Sequence, residues 1–200
     1  MMQASTTLRA KVTTSPNIAL IKYWGKYHEE LILPINSSVS LTLDPEDLST
    51  TTSIEFSDEH KEDQLWLNSE RHELTKRVKK ILERTRRQAE KYKQPGEGWE
   101  KKHFKICSTN SFPTASGLAS SASGLAALVL CLNTLFDGLY NEQEVAELTR
   151  MGSGSACRSL FGGLVQWQGI PWEYIKHPAT EEQFQQLSKQ CIASQLISEK

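Results

Sequence analysis

No run of apolar residues in this 200-residue chain approaches the roughly 20 that a helix needs to cross a bilayer, so nothing in it reads as a membrane span. Neither sign of charge dominates. Lys and Arg number 23 against 24 Asp and Glu, and a net charge of −1 offers no global attraction to nucleic acid or to an anionic membrane. Cysteine is sparse: Cys107, Cys131, Cys157 and Cys191 lie far apart without a C-x-x-C pair. That excludes a disulfide frame and a paired-cysteine zinc site, and fits reduced thiols in a cytosolic protein. Internal repeats and low-complexity linkers are missing, and the only hinge-like stretch is Gln94-Pro95-Gly96-Glu97-Gly98. The first 28 residues hold Arg9, Lys11, Lys22 and Lys26 but no acid, in the manner of a transit peptide. A dense motif begins by Ser15, however, and leaves too little room for a presequence. The length suffices for one good core or one and a half domains.

What is there reads as α+β. Residues 9–14 and 18–24 suggest strands joined by a turn at Ser15-Pro16, since proline restricts the residue before it. Val39-Ser40-Leu41-Thr42-Leu43 alternates strictly, as a half-buried strand does, and Asp44-Pro45-Glu46-Asp47 breaks it. Residues 50–56, 64–68 and 103–109 are β-rich. Leu74, Val78, Ile81, Leu82, Thr85, Ala89 and Tyr92 recur at helical spacing. The rest of that helix is crowded with Lys76, Arg77, Lys79, Lys80, Arg84, Arg86, Arg87, Lys91 and Lys93. A basic helix is the usual footprint of a nucleic-acid binder. The acids elsewhere make a solvated outer face the better reading, and neither nucleic acid nor membrane is expected as a partner. Asn141-Glu142-Gln143-Glu144 has the pattern of a capped start for a helix through Arg150. Thr180-Glu181-Glu182-Gln183 caps another, with Phe184, Leu187, Cys191, Ile192 and Leu196 on one side.

Pro113-Thr114-Ala115-Ser116-Gly117-Leu118-Ala119-Ser120-Ser121-Ala122-Ser123-Gly124 carries two glycines and four serines, and an apolar helix then starts abruptly. Leu125, Leu128, Val129, Leu130, Leu132, Leu135 and Phe136 lie all round that helix, which predicts burial. A small, hydroxyl-rich loop at the N-terminus of a buried helix suits a phosphate, because free N–H groups and the positive dipole end point outward. On composition alone, a Gly/Ser surface turn is an equal reading. The loop is not a Walker loop, since no Gly-Lys-Ser/Thr follows, and it lacks the G-x-G-x-x-G spacing of a Rossmann turn.

It does resemble the second motif of the GHMP kinase superfamily, P-x-x-x-G-L-(A/G)-S-S-(A/S), whose serine-rich loop wraps ATP phosphates. Asn17-Ile18-Ala19-Leu20-Ile21-Lys22-Tyr23-Trp24-Gly25-Lys26, with Leu33-Pro34-Ile35-Asn36-Ser37-Ser38, resembles the N-terminal signature of the diphosphomevalonate decarboxylases. Gly152-Ser153-Gly154-Ser155-Ala156-Cys157-Arg158-Ser159-Leu160-Phe161-Gly162-Gly163 resembles their substrate block. The resemblance runs from about residue 11 to residue 168. It implies a GHMP-kinase-type ATP- and substrate-binding N-terminal domain over residues 1–168, a ribosomal-protein-like β/α sandwich, followed by a divergent tail with an amphipathic helix over 169–200. It implies ATP and Mg2+ as cofactors, diphosphomevalonate as substrate and a homodimer as the family's assembly. Ser116, Gly117, Leu118, Ala119, Ser120 and Ser121 match positions that meet the ATP phosphates, Ser121 also the Mg2+. Asn17, Lys22, Tyr23, Trp24, Ser153, Ser155 and Arg158 match the substrate pocket. Lys22 and Arg158 carry the catalytic charge, and Arg158 grips the substrate's carboxylate with a two-pronged fork. The residues taken alone leave blander readings beside these: a surface ion pair for Arg158, core packing for Trp24, an exposed loop position for His28. Alternation does not settle which way Lys22 points.

One part of the family pattern is missing. The decarboxylases direct the substrate's C3 hydroxyl proton toward an aspartate in an F-D-A-G-P-N block, in the second half of a longer chain. These 200 residues contain no such block. Phe136-Asp137-Gly138 ends the buried helix and lacks Ala-Gly-Pro-Asn, so Asp137 is rejected. Ser116 and Ser123 also stand where alanine is usual. The expectation is an N-terminal portion of the decarboxylase without its catalytic aspartate, inactive alone. The alternative is a non-catalytic product that binds phosphate ligands or the full-length subunit. A sister GHMP kinase fits the Lys22-Tyr23-Trp24 and Gly152 blocks less well.

Overall fold

The computed structural model of the protein describes residues 7–92, 99–113, 120–177 and 179–197. In chain order, β1 (Leu8–Thr14) and β2 (Asn17–Ile21) precede the short β3 (Lys26–His28) and β4 (Leu33–Pro34), then β5 (Ser38–Thr42), β6 (Thr50–Ser57), β7 (Gln64–Leu67) and β8 (Glu70–His72). Helix α1 (Lys76–Tyr92) leads to β9 (His103–Asn110), α2 (Ser120–Leu135) and α3 (Glu142–Gly152). A 3-10 segment (Gly154–Leu160), β10 (Gly163–Trp167), α4 (Glu173–Lys176), α5 (Glu181–Gln190) and β11 (Ala193–Ile197) complete it.

The strands form two main sheets. The first, ordered β1-β6-β9-β7-β8, is antiparallel apart from the parallel β7–β9 pair. Period-two alternation turns Ile54, Phe56, Phe104 and Ile106 inward, where Val78, Ile81, Leu82 and Ala89 of α1 pack on them. The second sheet, β11-β10-β5-β2, is antiparallel throughout. Helix α2 runs between the layers, against β1 and β6 on one side and the 3-10 segment on the other. That explains its lack of a polar stripe: Ala122, Ala126, Ala127, Leu128, Val129, Leu132 and Leu135 are buried around it, as its sequence predicted. Its first turn is fixed where Thr50 Oγ1 and Ser123 Oγ share a hydrogen bond of 2.6 Å and Thr14 Oγ1 donates to Ser123 O at 2.8 Å.

The structure corrects several local expectations. Residues 22–24 do not continue β2. The register against β5 shifts between Ala19 and Ile21, and the Asn36 side chain then replaces a strand partner. Its Oδ1 accepts from the Trp24 N–H at 2.7 Å and its Nδ2 donates to Lys22 O at 3.1 Å. His28 is half-buried rather than an exposed loop residue: its Nδ1 accepts from the Leu31 N–H and its ring meets Phe184 edge-on at 4.6 Å. Arg86 leaves the solvated face of α1 to pair with Asp63 and lie 4.5 Å over the Phe104 ring. Ile192 and Leu196 are not on α5. That helix stops at Gln190, and Leu196 belongs to β11, which pairs with β10. The hinge-like stretch 94–98 lies outside the described residues.

The cause of the stop at α5 is Arg150, near the end of α3 and fully buried. Its Nε donates to Leu31 O at 2.9 Å, its Nη1 to Ser188 O and Cys191 O, and its Nη2 to Ser188 Oγ at 2.6 Å. Two of those carbonyls sit at the end of α5, where a cation satisfies acceptors that the helix leaves open. Replacing Arg150 with Ala takes the side-chain donor from Leu31 O and Ser188 O, each worth ~1–3 kcal/mol when left without one, while Cys191 O keeps the Trp167 indole. We expect Arg150→Ala to lower unfolding stability by about 3–5 kcal/mol in urea titration, with Arg150→Lys intermediate. A loss within about 0.5 kcal/mol would mean that water replaces the guanidinium.

Candidate functional site

Asn17, Ser38, Ser40 and Thr42 all point to the buried face of the second sheet, toward the 3-10 segment. The alternation at residues 39–43 does mark a half-buried strand, and it is the polar set that faces inward. Val39 is half-buried and Leu41 is exposed, while Ser40 and Thr42 are inside. The reason is Arg158. It projects from the 3-10 segment and is only 3% exposed. Its Nη1 donates to Ser38 Oγ at 2.9 Å, and its Nε donates to Ser40 Oγ at 3.1 Å and Asn17 Oδ1 at 3.3 Å. Asn17 Nδ2 in turn donates to Ser159 Oγ at 2.7 Å and Ser155 O at 3.1 Å. Small hydroxyl residues leave room for the guanidinium and accept its protons.

No carboxylate pairs with Arg158 among the described residues. Burial lowers its pKa from the usual arginine value, opposed by the nearby Cys157 thiol and Tyr23 phenol. Neutral acceptors satisfy N–H groups but leave the charge uncompensated, so the arrangement favours an incoming anion. The Trp167 ring lies under the guanidinium at 6.0 Å, and Tyr23 meets Trp167 edge-on at 4.8 Å. Gly154 makes that packing possible: a Cβ there would stand 2.8 Å from Trp167 Cη2 and 3.1 Å from Ile32 Cγ2.

The sequence-predicted residues are thus placed unevenly. Asn17 and Arg158 form a buried pair that the half-buried Ser155 joins through its backbone carbonyl and the half-buried Tyr23 through the Trp167 ring, and Ser153 Oγ lies 3.3 Å from Ser155 Oγ beside it. Lys22 is exposed just beyond β2, and Trp24 is 73% exposed, so it is not core. Ser120 and Ser121 open α2, half-buried and exposed respectively, on the helix that packs along the 3-10 segment. Ser116, Gly117, Leu118 and Ala119 lie outside the described residues. Sequence reasoning missed Ser38, Ser40 and Trp167. The usable signal was the Ser-x-Ser-x-Thr alternation of residues 38–42, read as scaffold rather than as acceptors. Among the described residues, no group of three His, Cys, Asp or Glu side chains stands ready to hold a metal.

Two sheets around a buried helix with a serine-opened first turn define a GHMP-kinase-type α+β domain, and solved mevalonate diphosphate decarboxylases share it. The Enterococcus faecalis enzyme, described as having a mevalonate diphosphate-mediated ATP-binding mechanism, matches with a TM-score of 0.74 at 39% identity, over 96% of this chain and 52% of that one. A mevalonate 5-diphosphate decarboxylase crystal structure matches with a TM-score of 0.76 at 38% identity, over 96% and 46%. The chain belongs to the diphosphomevalonate decarboxylase-like N-terminal domain family, whose model matches residues 14–170. Diphosphomevalonate decarboxylase of Danio rerio is 48% identical over 78% of this chain and 39% of that protein, and that of Homo sapiens is 44% identical over 84% and 43%. The chain therefore spans about two-fifths of the length of these curated relatives. One solved relative is a complex with MVAPP, AMPPCP and magnesium.

Two outcomes follow from the site. Gly154→Ala pushes against Trp167, and we expect a loss of about 1–3 kcal/mol together with a shifted Trp fluorescence maximum. Unchanged emission and stability would show that the ring moves aside freely. Burial also pushes the thiol of Cys157 up to about 12 and those of Cys131 and Cys191 to about 11, from an ordinary 9.0. A raised folded-state pKa contributes fully below the unfolded value and is lost as pH climbs through the folded one. The urea midpoint should hold up to about pH 9 and fall toward pH 11, less steeply in Cys157→Ala. An equally steep fall in that variant would assign the loss to other groups.

Proposed function

We propose that this chain is the N-terminal, ligand-holding portion of an ATP-dependent diphosphomevalonate decarboxylase of the mevalonate pathway, which feeds isoprenoid and sterol synthesis. The overall reaction phosphorylates the tertiary C3 alcohol of (R)-5-diphosphomevalonate. It then expels phosphate and carbon dioxide to leave isopentenyl diphosphate, with ADP as the other product. The observation that carries the reading is the buried Arg158 guanidinium, held by Asn17, Ser38 and Ser40 without a carboxylate among the described residues. Those bonds fix its plane before any ligand arrives, the condition for a positioning clamp. Arg158 would hold the substrate carboxylate, with Ser153 and Ser155 on the neighbouring diphosphate. Lys22, exposed at the end of β2, would add positive charge. The hydroxyls of Ser120 and Ser121 and the open N–H groups of α2 fit ATP phosphates and their Mg2+, the acid-poor donor set matching a metal carried on phosphate. ATP supplies the phosphoryl group. A cytoplasmic homodimer completes the reading.

Binding without turnover is the second reading, favoured by the absence of an F-D-A-G-P-N block from these residues. Calorimetry on the 200-residue chain tests both. We expect diphosphomevalonate to bind, and Arg158→Lys, which keeps the charge but loses the fork, to weaken it ~10-fold or more. Mg-ATP affinity should stay within about twofold. Equal losses for both ligands, or none, would refute the role of Arg158. Carbon dioxide release should fall ~10²–10⁴-fold below an intact relative, the usual contribution of a positioned base. Turnover within about tenfold would place a working base inside this chain.

A further inference from the structure

The last rung between β2 and β5 joins Ile21 to Val39, two residues short of Tyr23. Tyr23 is nevertheless turned inward, half-buried with its ring edge-on to Trp167, while Lys22 and Trp24 on either side of it are exposed. One residue facing in between two facing out is strand alternation without a strand partner. A single side chain takes the partner's place. Asn36 Oδ1 accepts from the Trp24 N–H at 2.7 Å, and Asn36 Nδ2 donates to Lys22 O at 3.1 Å and to Ser37 O at 2.8 Å. Both amide N–H groups and the amide oxygen are engaged, so rotating the amide by half a turn would lose all three bonds. Asn36 is also seated from behind. The Gly169 N–H donates to Ser37 Oγ at 2.9 Å and the Ile170 N–H to Pro34 O at 3.0 Å. A Cβ on Gly169 would stand 2.5 Å from Asn36 C and from Ser37 N, backbone atoms that cannot swing aside.

We propose that Asn36 is a positioning residue of the site: by bonding the backbone on both sides of Tyr23, it fixes the Tyr23 ring against Trp167 beside Arg158. The proposal rests on the reading of Tyr23 and Arg158 as parts of the diphosphomevalonate pocket. Trp167 links the two, 4.8 Å from the Tyr23 ring and 6.0 Å from the Arg158 guanidinium. With β2 already ended, no ladder hydrogen bond to β5 sets where the Tyr23 backbone stands, and the Asn36 amide does so instead. A pocket group displaced by about 1 Å can cost as much as ~10²-fold, so the loss of this clamp is felt at the ligand although Asn36 need not touch it.

Calorimetry and amide hydrogen exchange on the 200-residue chain test the clamp. Asn36→Ala should weaken diphosphomevalonate binding ~10-fold with Mg-ATP affinity held within about twofold, and should quicken exchange of the Trp24 amide at least about tenfold. Asn36→Asp keeps an acceptor for the Trp24 N–H and should restore most of that protection. In a Tyr23→Ala background, Asn36→Ala should cost no more than about twofold in diphosphomevalonate affinity, because the group it positions is gone. Equal losses for the two ligands, an undiminished cost without the Tyr23 ring, or unchanged Trp24 exchange would overturn the proposal. Diphosphomevalonate binding that is indifferent to Arg158→Lys would instead sink the reading of the pocket, and Trp24 exchange in Asn36→Ala would still decide the clamp.

Discussion

Burying the Arg158 guanidinium requires oxygen acceptors that carry no charge of their own and side chains small enough to admit it. β5 meets both needs by turning Ser38, Ser40 and Thr42 inward, and β2 does so with Asn17. Strand geometry then leaves no choice about the other face. With a period of two, committing the polar residues to the inside commits Val39, Leu41, Ile18 and Ile21 to the outside. One electrostatic demand thus sets both the acceptor-bearing inner face of β2 and β5 and the apolar character of their outer face, whereas β10 turns Val165 and Trp167 inward.

A second buried guanidinium holds the site from behind. Cys191 O accepts from both Arg150 and the Trp167 indole, the latter at 3.0 Å, so one carbonyl after α5 joins α3 to the ring beneath Arg158. The tail and the site share this acceptor, and Gly154 lets the ring reach its place. The three buried thiols belong to the same dry interior, which explains why desolvation dominates their shifts. The thiol of Cys157 donates to Gly154 O at 3.0 Å, one more contact holding the 3-10 segment in shape.

The legible parts of the sequence were those where local pattern and tertiary need agree. The capping boxes at Asn141 and Thr180, the apolar face of α1 from Val78 to Ala89 and the apolar character of α2 carry through, whereas Leu74 precedes α1, Tyr92 is exposed at its end, and Leu125 and Leu130 are half-buried. The motif blocks led to the family and to Arg158. What alternation alone does not give is which half of the strand is buried, and the usual rule puts the apolar half inside. That holds when a sheet covers a hydrophobic core and fails when it covers a cation. Likewise nothing local to Thr180 could reveal that α5 ends where Arg150, some forty residues earlier, claims the Cys191 carbonyl.

In the role proposed for it, the strength of Arg158 as an anion clamp depends on what excludes water around it. At a separation of 4 Å two unit charges attract by ~4 kcal/mol at an effective dielectric constant of 20, but by only ~1 kcal/mol in bulk water. A domain that presents the guanidinium on a fixed plane has already met the orientational cost, whereas the dielectric gain needs a second wall over the ligand. The same inversion of the sheet that admits Arg158 fixes its orientation, and in the proposed role the Coulombic gain depends on how dry the ligand's own side is. Orientation resides in these residues.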